Sequence, residues 1–483
     1  MTASAGTVAA RGVPGAAQGG QGGEGSPYGD FLDRKRRVMP PVGFDVPAPA
    51  GGLFPFQRDL VRWALRRGRA CLFTDTGTGK TRMQLAWAHH VAAETGGDVL
   101  ILAPLAVAAQ TVAEGAGVGI PVMLARDGAD VRPGITITNY DRLHRFEPER
   151  FAGVVLDESS ILKAQDGKTR SAIIGAFRDC RYRLACTATP APNDHVELGN
   201  HAEFVGAMSM AEMLSTYFVH DGGETQKWRL KGHARADFWR WVCSWAALVR
   251  RPSDLGYEDG AYILPPLRIH ERTVESEATE GYLFPIAAES LAERIVARRS
   301  SVDERVAEAA ALVNADRDPW LVWCNLNAES SALSRAIPDA IEITGSDTPE
   351  VKERAAADFV AGKIRVLVSK PSIFGYGLNF QHCSRMAFVG LSDSWESYYQ
   401  AVRRCWRFGQ TRPVDVYVIA ADIEGNVVDN IKRKDRDAAE MAEALAAECG
   451  AVVRAEVRGL ERSFIDYRPT VPMEVPTWLT CAS

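Results

Sequence analysis

The chain has 483 residues, and 56 Lys and Arg against 61 Asp and Glu give it a formal net charge of −5. Its content of 46% apolar and 24% charged residues is that of a globular protein, which excludes fibrous and wholly disordered chains. It has no apolar run of ~18 residues and no secretion signal at its start, and its nine cysteines are scattered, so we expect a cytoplasmic protein with reduced thiols and no membrane contact.

The first predicted elements are a leader and an α/β lobe. Residues 1–50 are rich in Gly, Ala and Pro. Such a segment buries too little apolar surface to offset the entropy lost on ordering, so we predict a disordered N-terminal leader. Over residues 51–205, short apolar runs such as 99–102 alternate with segments of helical composition. Continuous apolar runs are typical of parallel strands covered on both faces, which predicts a doubly wound parallel sheet.

The second half of the chain repeats this pattern after an interruption. Residues 206–268 lose the alternation and predict a mostly helical connector, and an aromatic stripe at 238–245 has the spacing of a buried helix face. Alternation resumes over residues 269–450 and predicts a second lobe, and residues 451–483 are assigned to a C-terminal tail. The predicted fold class is therefore α/β, with two doubly wound parallel-sheet lobes.

A glycine-rich turn at residues 74–81 (TDTGTGKT) follows a predicted strand and opens a predicted helix. This is the setting of a phosphate-binding loop, in which backbone N–H groups and a helix N-terminus face phosphate. The Lys80 side chain would reach the β- and γ-phosphates, and the Thr81 hydroxyl would bind Mg²⁺. The alternative is an ordinary strand–helix turn, which the GxGKT pattern disfavours. The predicted ATP-binding residues of this loop are Gly77, Thr78, Gly79, Lys80 and Thr81.

Two acidic residues, Asp157 and Glu158, follow the apolar run at 154–156. Carboxylates at the C-terminal end of a strand face the ligand crevice of an α/β sheet. We predict that Asp157 holds Mg²⁺, directly or through water, and that Glu158 orients and deprotonates the attacking water. Asp-Glu pairs are also common in surface turns, and only the presence of the phosphate loop favours a site here.

Taken in order, these and other segments resemble the motifs of superfamily 2 helicases and translocases, most of all the Swi/Snf-type DNA-dependent ATPases. The similar segments lie between residues 53 and 434 and are 53–57, 102–105, 138–140, 157–160, 187–190, 375–379 and 400–410. Trp406 stands where many relatives have His, and the connector is short for a eukaryotic remodeller. These departures are more similar to compact bacterial or phage-encoded members.

The resemblance implies roles for residues near the nucleotide. Gln57 matches the glutamine that reads adenine, and Gly377 lies in the segment that faces both nucleotide and strand. The segment 400–410 (QAVRRCWRFGQ) is similar to the helix that supplies arginine fingers from the second lobe.

Three residues of that segment are assigned to catalysis, namely Gln400, Arg404 and Arg407. Arg404 and Arg407 are three positions apart, so a helix would aim both at one phosphate. Arg403 would point elsewhere, toward DNA or a contact between the lobes.

The resemblance implies two RecA-like lobes and an ATPase that uses ATP and Mg²⁺ to move on DNA, with duplex DNA favoured and RNA not excluded. The net charge of −5 is only weak evidence against a nucleic-acid partner, because a motor needs cations in its cleft rather than over its whole surface. Alternatives are a strand-separating DNA or RNA helicase and an ATP-switched binding module without processive movement. A metabolic phosphate-loop kinase would not explain the second lobe.

Overall fold

The structure, a computed structural model, describes residues 39–104, 107–163, 167–191, 194–220, 228–275, 296, 298–375, 378–392, 394–422 and 425–458. The predicted leader up to residue 38, Gly377 and the end of the predicted tail after residue 458 lie outside the described residues. Two parallel sheets flanked by helices form two RecA-like lobes, so the predicted fold class is confirmed.

The first lobe is built on a parallel sheet. Its described strands are β1 (Arg69–Thr74), β2 (Asp98–Ala103), β3 (Val122–Leu124), β4 (Ile135–Asn139), β5 (Phe151–Asp157), β6 (Tyr182–Thr187), β7 (Phe218–His220), β8 (Trp228–Leu230) and β9 (Ala246–Val249). Strands β7 and β8 form a separate antiparallel hairpin, and the others pair in the order β3-β4-β2-β5-β6-β1-β9. Strands β1, β2 and β5 are buried almost throughout, because helices cover both faces of the sheet.

Helices pack on this sheet, and their ends follow from local sequence. They are α1 (Pro55–Arg67), α2 (Lys80–Thr95), α3 (Ala108–Gly117), α4 (Lys168–Ala176), α5 (Leu198–Val205), α6 (Met210–Tyr217) and α7 (Arg235–Cys243). Proline at the first position of α1 costs no hydrogen bond there, and Gly96 ends α2 in the left-handed region at φ 66°.

The segment 39–50, which composition assigned to the leader, is packed against the first lobe. The Met39 side chain is buried, and backbone N–H groups of Val42, Gly43 and Phe44 donate to carbonyls at the end of α1. The predicted boundary at residue 50 is therefore wrong for residues 39–50. Their few apolar side chains and their backbone groups find partners on the folded lobe, which composition alone does not reveal.

The predicted connector, residues 206–268, belongs largely to the first lobe. It contains α6, the β7–β8 hairpin, α7 and β9, and β9 pairs with β1 at the edge of the first sheet. Helices outweigh strands among its described residues, as predicted, but β9 places the region in the first lobe rather than between the lobes, and a strand of four residues is too short to show a strand period in the sequence. The aromatic stripe at 238–245 is buried in the first-lobe core, as its spacing predicted.

The second lobe is a six-stranded parallel sheet in the order β10-β15-β14-β11-β13-β12. Its described elements are β10 (Leu267–Val274), α8 (Val302–Asn314), β11 (Trp320–Trp323), α9 (Asn327–Ala336), β12 (Ala340–Glu342), α10 (Pro349–Val360), β13 (Val366–Ser369), α11 (Pro371–Phe374), β14 (Arg385–Phe388), α12 (Trp395–Val402) and β15 (Val414–Ala421). Two apolar clusters cover the two faces of this sheet.

A long helix, α13 (Gly425–Arg458), connects the second lobe with the first. Near its start Val427 and Ile431 are buried in the second-lobe core, whereas Val453 and Val457 near its end are buried in the first-lobe core. Its 34 residues reach about 51 Å at ~1.5 Å per residue. Residues 451–458, predicted as tail, are thus helical. Among the described residues, no helix is both long and apolar enough to cross a membrane.

Candidate active site

A cavity of about 460 Å³ lies between the two lobes, at the end of the first sheet where β1 and β5 finish. Residues from both lobes line it. The first lobe contributes Gln57, Gly77, Gly79, Lys80, Thr81, Asp157 and Glu158, and the second contributes Asn379, Arg404, Arg407 and Phe408. Most of the residues singled out from the sequence are therefore brought together here, although they are spread over 350 positions of the chain.

The phosphate loop has the backbone that its glycines permit. Gly77 and Gly79 both have φ of 85°, a conformation that side chains with a Cβ rarely adopt. The Lys80 ammonium donates to the carbonyls of Thr74 (3.0 Å) and Asp75 (3.1 Å) and is largely buried. Burial lowers the pKa of Lys80, against the opposing effect of nearby carboxylates, the first of which is Glu158.

Thr78 does not line the cavity with its side chain. Its hydroxyl donates to the carbonyl of Asp75 at 2.7 Å and lies 2.9 Å from the Thr74 hydroxyl. Its carbonyl accepts from Gln57 Nε2 at 2.7 Å. These bonds hold the phosphate loop in shape, and Thr78 itself is not among the residues that line the cavity.

The two carboxylates lie at the end of β5 and are both buried. Gln84 Nε2 donates to Asp157 Oδ1 at 2.7 Å, and the Tyr140 hydroxyl donates to the Asp157 carbonyl at 2.7 Å. Burial raises the pKa of Asp157 and of Glu158, while Lys80 acts in the opposite direction on both. A raised pKa suits a group that accepts a proton from water near neutral pH.

Glu158 is the only non-glycine residue with positive φ among those the structure describes, at 52°. A side chain in this region costs roughly 1–3 kcal/mol and persists where the surroundings hold it. Thr187, at the end of β6, lies 3.4 Å from Glu158 Oε2, and buried Ser159 bonds to His201 Nε2 at 3.0 Å. The positive φ of Glu158 is thus held by hydrogen bonds of its own side chain and of the next residue, Ser159.

Sequence reasoning missed Gln84 and Tyr140 as supports of Asp157. Gln84 follows Lys80 by one helical turn on α2, so the two side chains share a face of that helix. The spacing from Lys80 could have indicated Gln84 from the sequence, whereas no local sequence pattern indicates that Tyr140 contacts β5.

Arg404 and Arg407 extend from the second lobe into the cavity but not from a helix. Helix α12 ends at Val402. Beyond it, the Arg404 carbonyl accepts a hydrogen bond from Phe380 N–H instead of one from within a helix. The expectation of a shared helix face is therefore wrong. The two guanidinium groups nevertheless converge, since each donates to the Leu378 carbonyl, at 3.1 and 3.2 Å.

The charge of these arginines faces the cavity. Burial, followed by the neighbouring Arg404, lowers the pKa of Arg407 to about 9, and Arg407 Nε has no hydrogen-bond partner among the residues that the structure describes. Gln400 is fully buried and its Oε1 accepts from Arg404 at 3.0 Å. Gln400 therefore positions Arg404 and does not itself line the cavity.

The residues present fit a nucleoside triphosphate with Mg²⁺. Lys80 and Arg407 are largely buried cations, and Arg407 Nε is available to donate a hydrogen bond. A polyphosphate would fit here because a buried charge is stable when it is paired. Thr81 and Asp157 supply the oxygen ligands that Mg²⁺ prefers, and these two residues would hold the ion.

Contacts between the lobes surround the site. Glu396 of α12 pairs with Lys163 and accepts from the Thr189 hydroxyl at 3.1 Å. Arg403 lies 3.1 Å from Asp75 in the phosphate loop. The sequence left Arg403 open between DNA and a lobe contact, and in the structure it makes the lobe contact.

Comparison with known proteins matches part of this chain. The model of the helicase conserved C-terminal domain matches residues 305–409, which lie in the second lobe. Among curated proteins, no sequence gives a significant match. Solved structures similar in fold include a SWI2/SNF2 ATPase core of Sulfolobus solfataricus in complex with dsDNA, with 16% identity, a TM-score of 0.41, and coverage of 86% of this chain and 99% of that chain. Another is S. cerevisiae Dbp5 bound to RNA and ADP BeF3, with 12% identity, a TM-score of 0.49, and coverage of 82% and 98%.

Proposed function

We propose that this chain is an ATP-dependent nucleic-acid motor of the superfamily 2 helicase type, with a Swi/Snf-like mode of translocation on DNA. One observation carries the proposal. Lys80, Asp157 and Glu158 of the first lobe face Arg404 and Arg407 of the second lobe across one cavity. A site divided in this way can complete its chemistry only when the lobes are together.

Different residues of the site have different roles in ATP hydrolysis. Lys80 and the backbone of the phosphate loop bind the phosphates, and Glu158 orients the attacking water and takes its proton. Arg404 and Arg407 stabilise the charge that develops on the transferred phosphoryl group, an effect worth about 10³–10⁵ in rate in other phosphate-loop enzymes. Mg²⁺, when held by Thr81 and Asp157, neutralises charge on the phosphate oxygens.

Movement on DNA follows from the same division. The segments at 102–104, 138–140 and 187–190 lie at the ends of strands β2, β4 and β6, on the same edge of the sheet as the phosphate loop. Opening and closing of the cleft would shift these segments relative to the second lobe, which moves one strand-contacting surface past the other.

The test is ATP turnover measured without polymer and with duplex DNA, single-stranded DNA or RNA. Stimulation by duplex DNA of at least about tenfold is expected, and Lys80→Ala is the inactive control. Turnover that no polymer changes would refute the motor. Displacement of a third strand from a DNA triplex tests translocation, and displacement of one strand of a duplex identifies a strand-separating helicase instead. Stimulation without either displacement identifies an ATP-switched binding module.

A further inference from the structure

A second cavity, of about 280 Å³, lies between the two lobes beside the phosphate loop. The first lobe contributes residues at or just after the ends of β1, β6 and β9, and the second lobe contributes β10 and α12, with residues 435–439 of α13. Most of the wall is apolar, and its larger side chains include Phe73, Leu248, Ile269, Trp395, Val402 and Trp406. We call this space the interlobe cavity.

The two tryptophans of the wall present their rings to the cavity while their N–H groups are bonded within the chain. Trp395 Nε1 donates to Asp435 Oδ1 at 2.9 Å, and Trp406 Nε1 donates to the Pro265 carbonyl at 2.7 Å. These bonds fix the two rings in place. What the tryptophans can offer to a ligand is therefore apolar ring surface.

The charges of the wall are largely paired with one another. Asp75 lies 3.1 Å from Arg403 and accepts from the Tyr399 hydroxyl at 2.6 Å. Arg250, which also lines the cavity, is exposed to solvent. A charged molecule would give up its water for a wall whose buried charges already have partners, which is unfavourable. The charges of the wall therefore favour an uncharged occupant.

The size of the cavity indicates how large this occupant is. An apolar cavity of about 150 Å³ inside a protein stays dry and binds benzene, a molecule of one ring. The interlobe cavity has nearly twice that volume, which suits two fused rings. Aromatic walls favour a planar molecule, because rings pack well face to face with an offset or edge to face.

We infer that the interlobe cavity is a second ligand site, which binds a neutral, planar aromatic molecule of about two fused rings. Indole has this chemistry and serves as the probe. A molecule of this size that is well enclosed binds with a dissociation constant of about 0.3 mM.

The position of the interlobe cavity couples it to the nucleotide. Its ligand contacts both lobes, and Asp75 belongs to the phosphate loop. Resting on the proposed function, the nucleotide also binds across both lobes, so each ligand favours the arrangement in which the lobes are together. A bound nucleotide therefore strengthens indole binding by about fivefold or more, and indole strengthens nucleotide binding by the same factor. Turnover needs the cleft to reopen, so indole slows it.

The experiment is calorimetry of indole binding, with and without a non-hydrolysable ATP analogue and Mg²⁺. Ala438 lines the cavity from α13, so the ring of Ala438→Trp occupies the place of free indole. This variant binds indole about tenfold more weakly or not at all. Ala451→Trp is the matched control, because it puts the same ring at an exposed position of the same helix, and it binds as the wild type does. Urea unfolding shows that both variants are folded.

Four results overturn the inference, and the first needs no variant. They are a wild type without saturable indole binding, a folded Ala438→Trp that binds indole as the wild type does, displacement of indole by the ATP analogue, and tighter binding of indole carboxylate than of indole. Displacement would place indole in the nucleotide cavity, and a preference for the carboxylate would exclude a neutral ligand. None of these measurements needs turnover, so a chain that binds indole but hydrolyses no ATP would refute the proposed function and leave the second site in place.

Discussion

Arg403 of the second lobe and Asp75 of the first-lobe phosphate loop form an ion pair of 3.1 Å across the cleft. The Tyr399 hydroxyl donates to the same carboxylate at 2.6 Å, and Arg403 lies over the Trp406 ring at 4.4 Å. Burial would raise the pKa of Asp75, but the charge of Arg403 and the bond from Tyr399 outweigh it and keep that pKa below its usual value. The phosphate loop is thus tied directly to the segment that carries Arg404 and Arg407.

This ion pair should couple lobe closure to turnover. We expect Asp75→Asn and Arg403→Gln each to lower ATP turnover by about tenfold or more, because either removes one charge of the pair that joins the second lobe to the phosphate loop. The double variant should be no slower than the slower single one, since the pair acts as a unit. Arg412→Gln is the matched control, as the Arg412 side chain bonds to the His382 carbonyl at an exposed position. Additive losses would show that the two residues act independently.

Arg407→Ala should leave ATP binding nearly intact and reduce turnover by about 10³-fold or more, because this cation acts on charge that develops during transfer. Nucleotide affinity from calorimetry and single-turnover hydrolysis separate the two effects. Arg412→Ala serves again as the control for loss of a nearby arginine. Hydrolysis by Arg407→Ala at close to the wild-type rate would remove Arg407 from the site.

Gln84→Leu should raise the Mg²⁺ concentration needed for half-maximal turnover by about tenfold or more, since removing the support of a metal-binding carboxylate commonly weakens metal affinity to that extent. Gln84 is the side chain that holds Asp157 Oδ1, at 2.7 Å. Nucleotide binding measured in EDTA is the control and should not change. If the Mg²⁺ dependence is that of the wild type, Gln84 does not position Asp157.

His201 should make the first lobe sensitive to acid. Burial lowers the pKa of His201 to about 4, whereas an unfolded histidine takes up its proton near pH 6.5. Between these values the unfolded state binds more protons, so stability is complete above about pH 6.5 and is lost as the pH falls toward 4. The expected loss from pH 7 to pH 5 is about 2 kcal/mol in urea unfolding. His201→Gln should reduce that slope, and an equal slope in both proteins would contradict the assignment.

The end of α13 should hold the helix to the first lobe by apolar contact. Val453 and Val457 are each 2% exposed there, and replacing either by Ala should cost about 1.5 kcal/mol of local stability. Limited proteolysis should then cut earlier within residues 440–458. Val351→Ala is the control, because Val351 is 45% exposed on α10. Equal cleavage rates in the wild type and all three variants would show that this contact contributes little.

Much of the candidate site could be predicted because its parts are local in sequence. The phosphate loop needs only glycines, Lys80 and Thr81 between a strand and a helix, and Asp157 with Glu158 needs only the end of an apolar run. The ends of neighbouring parallel strands meet at one edge, so these parts converge whatever the details of packing. The pairing of Gln84 with Asp157, by contrast, depends on how α2 lies against β5.

By itself, the sequence determined two parallel α/β lobes, the position of the phosphate loop and the order of the motifs, because these depend on short-range patterns of apolar and turn-forming residues. Tertiary structure alone decided that residues 39–50 are packed, that β9 joins the first sheet and that α13 returns to the first lobe. It also brought Tyr262 to the nucleotide cavity and turned the Gln57 amide toward the chain. Each of these features depends on contacts between residues far apart in sequence, and no local sequence pattern indicates which distant residues will meet.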